Sequence, residues 1–308
     1  MIKLFRKKYP TSVPPANLIS DNFLPPGPLQ TAVLFLIFNR PDTTTQVFDA
    51  IRKAQPPRLY IASDGPRVER EGEREKVDEA RRISTAVDWP CIVNTLFRNK
   101  NLGCKYAVSK AITWFFENEE QGIILEDDCL PSQSFFWFCE AMLNEYATQY
   151  CVMHVGGYKP ATIGCDKYSF TFTRATHIWG WATWRNRWNN YQVDGAAYLK
   201  DLEIMKYYEY FISEFKTKKR LKILAKLLSG QIDTWDYQWN LAVRAKGGLG
   251  IRPCVNLVKN IGHGHYDATH TFNRRDIEAT GNINIEELSM PPWLLPNREL
   301  EKQFEAGL

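Results

Sequence analysis

The octapeptide TAVLFLIF, Thr31 to Phe38, constrains the fold more than any other stretch of the chain. Its apolar, β-prone side chains run without alternation, so neither face of a strand built from it can look at water. Such a strand belongs in the middle of a sheet covered on both sides. It breaks at Asn39-Arg40-Pro41-Asp42, and Thr43 to Lys53 then carry Val47, Phe48 and Ile51 at helical spacing. The alternation continues along the chain. RLYIAS (Arg58 to Ser63) predicts a second strand closed by Asp64-Gly65, and residues 67–82 a densely charged helix. CIVNTLF predicts a third strand, Asn101-Leu102-Gly103 a turn, Lys105 to Glu119 an amphipathic helix, and GIIL a fourth strand. This order implies an α/β fold with an open, mostly parallel, Rossmann-like sheet flanked by helices. Ligands of such sheets bind beyond the carboxyl ends of the strands. Here those ends carry NRPD, SDG and EDD.

After Leu143 the pattern turns aromatic and short. CVMHVGGY, YSFTFTR and HIWGWATWRNRWNNY predict a smaller mixed or antiparallel extension of the sheet with an aromatic loop. Residues 196–228 read as a helical insertion broken by the basic run Lys216 to Lys222. A helix through QIDTWDYQWNLAVRAKGG, strand-like LGIRPCVNLVKNIG and the histidine-bearing HGHYDATHT follow. The division expected is an N-terminal arm (1–30), a main domain (31–271) with a nucleotide-side half (31–150) and an acceptor-side half (151–271), and a C-terminal tail (272–308).

Composition narrows the function classes. With 308 residues, 44% hydrophobic and 24% charged, the chain has enough material for a large core. A net charge of +4 gives no reason to expect nucleic-acid binding. The seven cysteines are scattered and never spaced as CxxC, which argues against a disulfide framework or structural zinc and for a reducing compartment. No signal-peptide-like or bilayer-length apolar run occurs. The expected location is cytoplasmic, with Arg6, Lys7 and Lys8 available for peripheral contact with the inner face of a membrane.

The most informative polar cluster is Glu126-Asp127-Asp128, three carboxylates directly behind Ile123, Ile124 and Leu125. Adjacent acids at a buried strand end repel one another and lose hydration, so a cation is expected against them. Hard oxygen donors suit Mn²⁺ or Mg²⁺, which one or two carboxylates hold while substrate phosphates complete the shell. Strand alternation points Glu126 and Asp128 one way and Asp127 the other. The competing structural use is a cap for a helix near Pro131, which needs one acid rather than three.

The other candidates each have a plain structural use as well. Asn39, Arg40 and Asp64 form a candidate nucleotide-sugar set, engaging a uracil edge or phosphate, but Asp-Gly is also a common turn. Lys105, near a helix start, can reach a phosphate or stay solvated. Asp236, among Trp235, Tyr237 and Trp239, is a candidate general base or simply a first-turn acid of a helix that Asp233 caps. Trp179, Gly180, Trp181, Trp184 and Trp188 suit a sugar face or an aromatic core. His263 and His265 can meet a diphosphate or be structural.

Together, NRPD, SDG, EDD, the glycine-tryptophan loop, the Trp235-Asp236 pair and the terminal HG resemble the nucleotide-diphospho-sugar glycosyltransferases of GT-A fold. The closest likeness is to the family 13 N-acetylglucosaminyltransferases, from about Thr31 to Thr271. The resemblance implies an inverting, metal-dependent transfer from a UDP-sugar, with N-acetylglucosamine the family's sugar, to a glycan or lipid-linked glycan acceptor. It implies Asp128 as the direct Mn²⁺ (or Mg²⁺) ligand and Glu126 and Asp127 as ribose or sugar contacts. Arg40 and Asp64 would hold the uridine, Gly180 and Trp181 would border the donor sugar, Asp236 would be the base and His263 would fall in a loop over the diphosphate. The rival readings are a sugar-1-phosphate nucleotidyltransferase, against which the glycine-free NRPDTTT counts, and a non-catalytic glycan-binding protein.

Overall fold

The structure is a computed structural model, and it describes residues 23–159, 168–194, 226, 229, 231–262, 280–297 and 301. The expected helical insertion (196–228, residue 226 apart) and His263 and His265 lie outside the described residues.

The sheet is the open α/β arrangement that the strand-helix alternation implies. β1 (Val33–Ile37), β2 (Arg58–Ser63), β3 (Ile92–Phe97) and β4 (Gln121–Glu126) are all parallel, in the order β3-β2-β1-β4. All five residues of β1 are buried, as an uninterrupted apolar run requires. Their side chains split between two cores. Val33, Phe35 and Ile37 pack towards helices α1 (Pro41–Ala54) and α4 (Ser134–Glu145) through Val47, Phe48, Ile51, Phe135 and Phe138. Leu34 and Leu36 face α3 (Gly103–Asn118) and α6 (Asp236–Ala245) through Ile112, Phe115, Phe116 and Trp239. Helix α1 opens with Pro41, which needs no hydrogen-bond partner there, and ends at Gln55 in a left-handed turn whose N–H donates to Ile51 O at 3.0 Å. Helix α2 (Glu73–Ser84) covers the β2 side.

Beyond β4 the sheet continues with β8 (Trp181–Trp184), β6 (Val152–Gly156), β9 (Leu249–Pro253) and β7 (Phe170–Thr173), making eight strands among the described residues. β8 is antiparallel to both β4 and β6, and β9 runs parallel to β6. It follows that β1, β2, β4, β6 and β9 all deliver their carboxyl ends to one edge. The WATW segment, expected as part of a loop, is therefore a central strand, joined by the short helix α5 (Arg185–Trp188). Its large rings are explained by burial: Trp181, Trp184 and Trp188 are all core residues.

A second, two-stranded sheet pairs β5 (Cys129–Pro131) with β10 (Val258–Asn260) in antiparallel fashion. The triple acid thus leads into a short strand rather than into a helix. α4 starts only at Ser134, and its cap residue Gln133 makes no side-chain cap, so Asp127 and Asp128 are not helix caps. Residues 280–297 of the expected tail also pack down. Ile283 is fully buried, and its N–H donates to Ser134 Oγ at 3.0 Å.

One expectation about the cysteines is corrected. Cys91, Cys104, Cys129, Cys139 and Cys151 are free, but Cys254 is disulfide-bonded. Among the described residues no helix is long and apolar enough to cross a membrane.

Candidate functional site

The acid cluster forms at the tip of β4. Glu126 is the last β4 residue, in register with Leu36 of β1, and Asp127-Asp128 turn the chain into β5. Asp127 Oδ2 accepts the Phe38 N–H at 3.1 Å, which stitches the ends of β1 and β4 together. Asp128 Oδ1 accepts from Asn260 Nδ2 at 3.3 Å and from the Cys129 thiol at 3.4 Å. Its other oxygen, Oδ2, meets Arg40 Nη1 at 2.6 Å, and the same nitrogen lies 3.6 Å from Asp127 Oδ1. Arg40 thus sits on the acids, its side chain 15% exposed. Burial lowers its pKa, but the charges of Asp127 and Asp128 outweigh that and hold the guanidinium above its ordinary value.

Glu126 has a different environment. Its Oε1 is shut off from solvent and has no hydrogen-bond partner. Burial, followed by the charges of Asp128 and Asp127, pushes its carboxyl up to about 8, with Arg40 pulling the other way and Asp236 adding to the rise. Among the described residues, Arg40 supplies the guanidinium that Asp127 and Asp128 share. Among the described residues no three His, Cys, Asp or Glu side chains converge to hold a metal. A Mn²⁺ or Mg²⁺ ion does not require that, since one or two carboxylates suffice when phosphates and water fill the shell. The donor set fits such an ion: hard oxygens, an orphaned buried carboxylate oxygen on Glu126 and, among the described residues, fewer positive than negative groups. Asp128 and Glu126 are the side chains that would hold it, provided Arg40 leaves Oδ2.

Asp236 reaches the same neighbourhood from the far end of the chain. It opens α6, half-buried, and accepts a hydrogen bond from the Thr234 hydroxyl. Asp233, exposed, is not the cap of that helix. Its two oxygens accept the N–H groups of Cys104 (2.8 Å) and Lys105 (2.9 Å), so it caps α3, whose own cap residue Leu102 makes no side-chain bond. The half-buried Cys104 thiol lies among these acids. Burial raises its pKa first, then the charges of Glu126, Asp233, Asp236 and Asp64.

The remaining candidates divide clearly. Asp64 is buried, and its carboxylate accepts from Gly65 N (3.0 Å), Leu102 N (2.9 Å) and Gly103 N (3.1 Å), which fixes the turn into α3. Asn39 donates to Glu73 Oε1 at 2.9 Å, within a buried network that Arg67 also enters. Lys105 reaches Asp194 at 3.7 Å. Trp181 has no exposed surface: its ring stacks between His154 (5.2 Å) and Trp235 (5.7 Å). That is a correction for its side chain, which packs the core and offers no face to a sugar. Gly180 beside it has φ +60°, and a Cβ there would stand 2.7 Å from Val258, so only glycine fits the approach of β8 to β10.

Sequence reasoning does not find Asn260, takes Asp233 for a cap of α6 and singles out Gly262 only as the neighbour of His263. Asn260 and Gly262 bring the end of β10 onto Asp128: Ile261 N donates to Asp128 O at 2.8 Å, and Gly262 N to Asn260 Oδ1 at 2.9 Å. Asp233 ties the segment before Asp236 to α3. Neither Asn260 nor Asp233 has a local signal for these contacts, because their partners lie 132 and 128 to 129 positions away. Two clefts lie elsewhere. One of about 380 Å³ opens at the opposite edge of the sheet, between Thr31, Arg58, Glu119 and Gln121, and one of about 180 Å³ between Thr113, Arg185 and Trp188. Neither borders the acids.

No protein-family model matches the chain, and no curated protein matches it. Solved structures similar to it include UDP-glucose pyrophosphorylase complexed with UDP-glucose, with 8% identity and a TM-score of 0.32 over 52% of this chain and 78% of the other. Apo UDP-glucose pyrophosphorylase gives 8% and 0.40 over 76% and 93%. HddC from Yersinia pseudotuberculosis gives 11% and 0.32 over 53% and 80%. These likenesses are weak ones of fold and carry no argument about what the chain does.

Proposed function

We propose that the protein is an inverting, metal-dependent glycosyltransferase that uses a UDP-sugar and an acceptor hydroxyl of a glycan or lipid-linked glycan. The observation that carries this reading is the acid cluster at the carboxyl edge of the sheet, with Glu126 Oε1 buried and unpartnered. Asp236 stands within electrostatic reach of it.

In this reading Asp236 takes the proton of the acceptor hydroxyl as its oxygen bonds to the anomeric carbon. The bond from that carbon to the phosphate oxygen breaks on the opposite face, and the electron pair leaves with UDP, which inverts the centre. A divalent ion held by Asp128 supplies Lewis-acid neutralisation of the leaving diphosphate. Arg40 serves the nucleotide, and Gly180 lets the backbone come close to the donor. Asp64 and Asn39 act through the turns they fix. Trp181 supports these groups from the core, and Lys105 and His263 are assigned to phosphate.

The test is calorimetric titration of UDP with and without Mn²⁺, on the wild type and Asp128→Ala, followed by UDP release across a panel of UDP-sugars. Metal-dependent binding that Asp128→Ala loses supports the reading, and metal-independent or absent binding removes it. A second reading is a sugar-1-phosphate nucleotidyltransferase, the class that the names UDP-glucose pyrophosphorylase and HddC bring to mind. The connection from β1 to α1 holds only Phe38, Asn39 and Arg40, without the glycine-rich loop that chemistry favours. Pyrophosphate release from UTP and glucose 1-phosphate would decide for it.

A further inference from the structure

The contact between Arg40 and Asp128 bears on how ligands enter, if the proposed reading of the site holds. Asp128 Oδ1 is engaged by Asn260 and the Cys129 thiol, so Oδ2 is the oxygen left for a cation. Arg40 Nη1 is there already, at 2.6 Å. A divalent ion binds a carboxylate oxygen at roughly 2.1 Å for Mg²⁺. It would need the space and the lone pair that Nη1 uses, and its charge repels the guanidinium at that range. The pair is also enclosed. Both side chains are largely buried, and a Cβ at Gly262 would come within 2.9 Å of Nη1 and closer still to Oδ2. A guanidinium keeps its charge at any accessible pH, so it can leave Asp128 only for another anion.

We propose that Arg40 couples the divalent ion to the nucleotide. In the free protein its guanidinium holds the cation position on Asp128, and it moves to a phosphate oxygen of the nucleotide when the ion takes that position. The planar fork of arginine matches phosphate oxygens as well as it matches a carboxylate. The ion alone binds weakly because it costs Arg40 its 2.6 Å contact with Asp128 and leaves it the longer one, 3.6 Å, to Asp127. The nucleotide alone binds weakly because taking Arg40 exposes the bare acids to its own negative charge. Together each removes the other's cost, and linkage makes the enhancement equal in both directions. Arg40 is here a positioning residue, which acts through Asp128.

The experiment measures free Mn²⁺ by electron paramagnetic resonance during titration of the wild type, Arg40→Met and Arg40→Gln, first without UDP and then with saturating UDP. Circular dichroism establishes that each variant is folded. Without UDP, the folded variants should bind Mn²⁺ about tenfold more tightly than the wild type, and the enhancement by UDP should shrink by a similar factor. Wild-type binding of Mn²⁺ and UDP together with no gain in either folded variant overturns the coupling and leaves the transferase reading standing. A wild type that binds UDP neither with nor without Mn²⁺ overturns that reading itself. Should neither variant fold, equal Mn²⁺ affinity of the wild type with and without UDP overturns the coupling.

Discussion

Replacing Asp233 by alanine tests whether the candidate base is held in place by a helix far away in sequence. Asp233 gives both carboxylate oxygens to the first N–H groups of α3, at 2.8 and 2.9 Å, where Leu102 makes no side-chain cap. A lost side-chain cap costs about 1 kcal/mol, and the charge at a helix N-terminus adds roughly 0.3–1 kcal/mol. Asp233 is exposed, so the lower end applies, and the sum is about 1–1.5 kcal/mol. For a chain of this size that is a drop of roughly 1.5–2.5 °C in Tm, read by scanning calorimetry. Asp233→Asn keeps an acceptor without the charge and should recover about half of the loss. Asp236 follows three positions later, so Asp233→Ala should also lower kcat in the UDP-release assay, because the base is no longer tied to α3. A variant that melts with the wild type and keeps its turnover would show that the contact does nothing, and the account of how Asp236 is positioned would fall with it.

Three other outcomes are expected. Asp236→Asn should abolish transfer while leaving UDP binding by calorimetry intact; an active variant removes the base. His154 is buried, accepts from Trp239 Nε1 at 3.2 Å and contacts His177 O through Nε2 at 3.0 Å, and burial drives its pKa down to about 3. The unfolded chain takes up a proton below about 6.5 where the folded one does not, so stability is full above that pH and falls as pH drops toward 3, by at most about 1.4 kcal/mol per unit. His154→Gln should flatten the fall in Tm between neutral pH and the onset of acid unfolding, and parallel curves would contradict the reasoning. Glu73, 4% exposed, accepts from Arg67 N–H at 2.7 Å and from Asn39, and pairs with the Arg67 guanidinium. Glu73→Gln should cost about 2 kcal/mol in urea unfolding, below the fully buried range because Arg67 is partly exposed, and an unchanged midpoint counts against it.

What could be read from the sequence was whatever is local. The unbroken apolar run of β1 announced a central strand, and the NRPD, SDG and EDD segments announced the strand ends on the edge where the structure places them. Side-chain alternation, by contrast, stops informing where the strand stops: Asp127 and Asp128 both turn to Arg40 across the chain turn. Asp64 looked like a turn residue or a base contact. Its partners across the loop, Leu102 and Gly103, are visible only once β2 and α3 are adjacent. The aromatic WATW segment misled because large rings suit a sugar or a core equally, and only packing against Trp235 and His154 chooses. The Cys254 disulfide was missed for a similar reason, since spacing says little about which distant loops meet.

The pairing of β5 with β10 has a consequence for assembly. The acids at the β4 tip emerge early in synthesis, yet the strand that clamps their turn, Val258 to Asn260, lies more than a hundred positions later. Until it arrives, the nascent amino-terminal half carries an unpaired strand edge beside mutually repelling charges, a contact of high sequence separation and hence slow to close. A fragment ending near residue 150 should fold its parallel strands without acquiring a settled acidic turn, and adding the missing segment in trans should restore it.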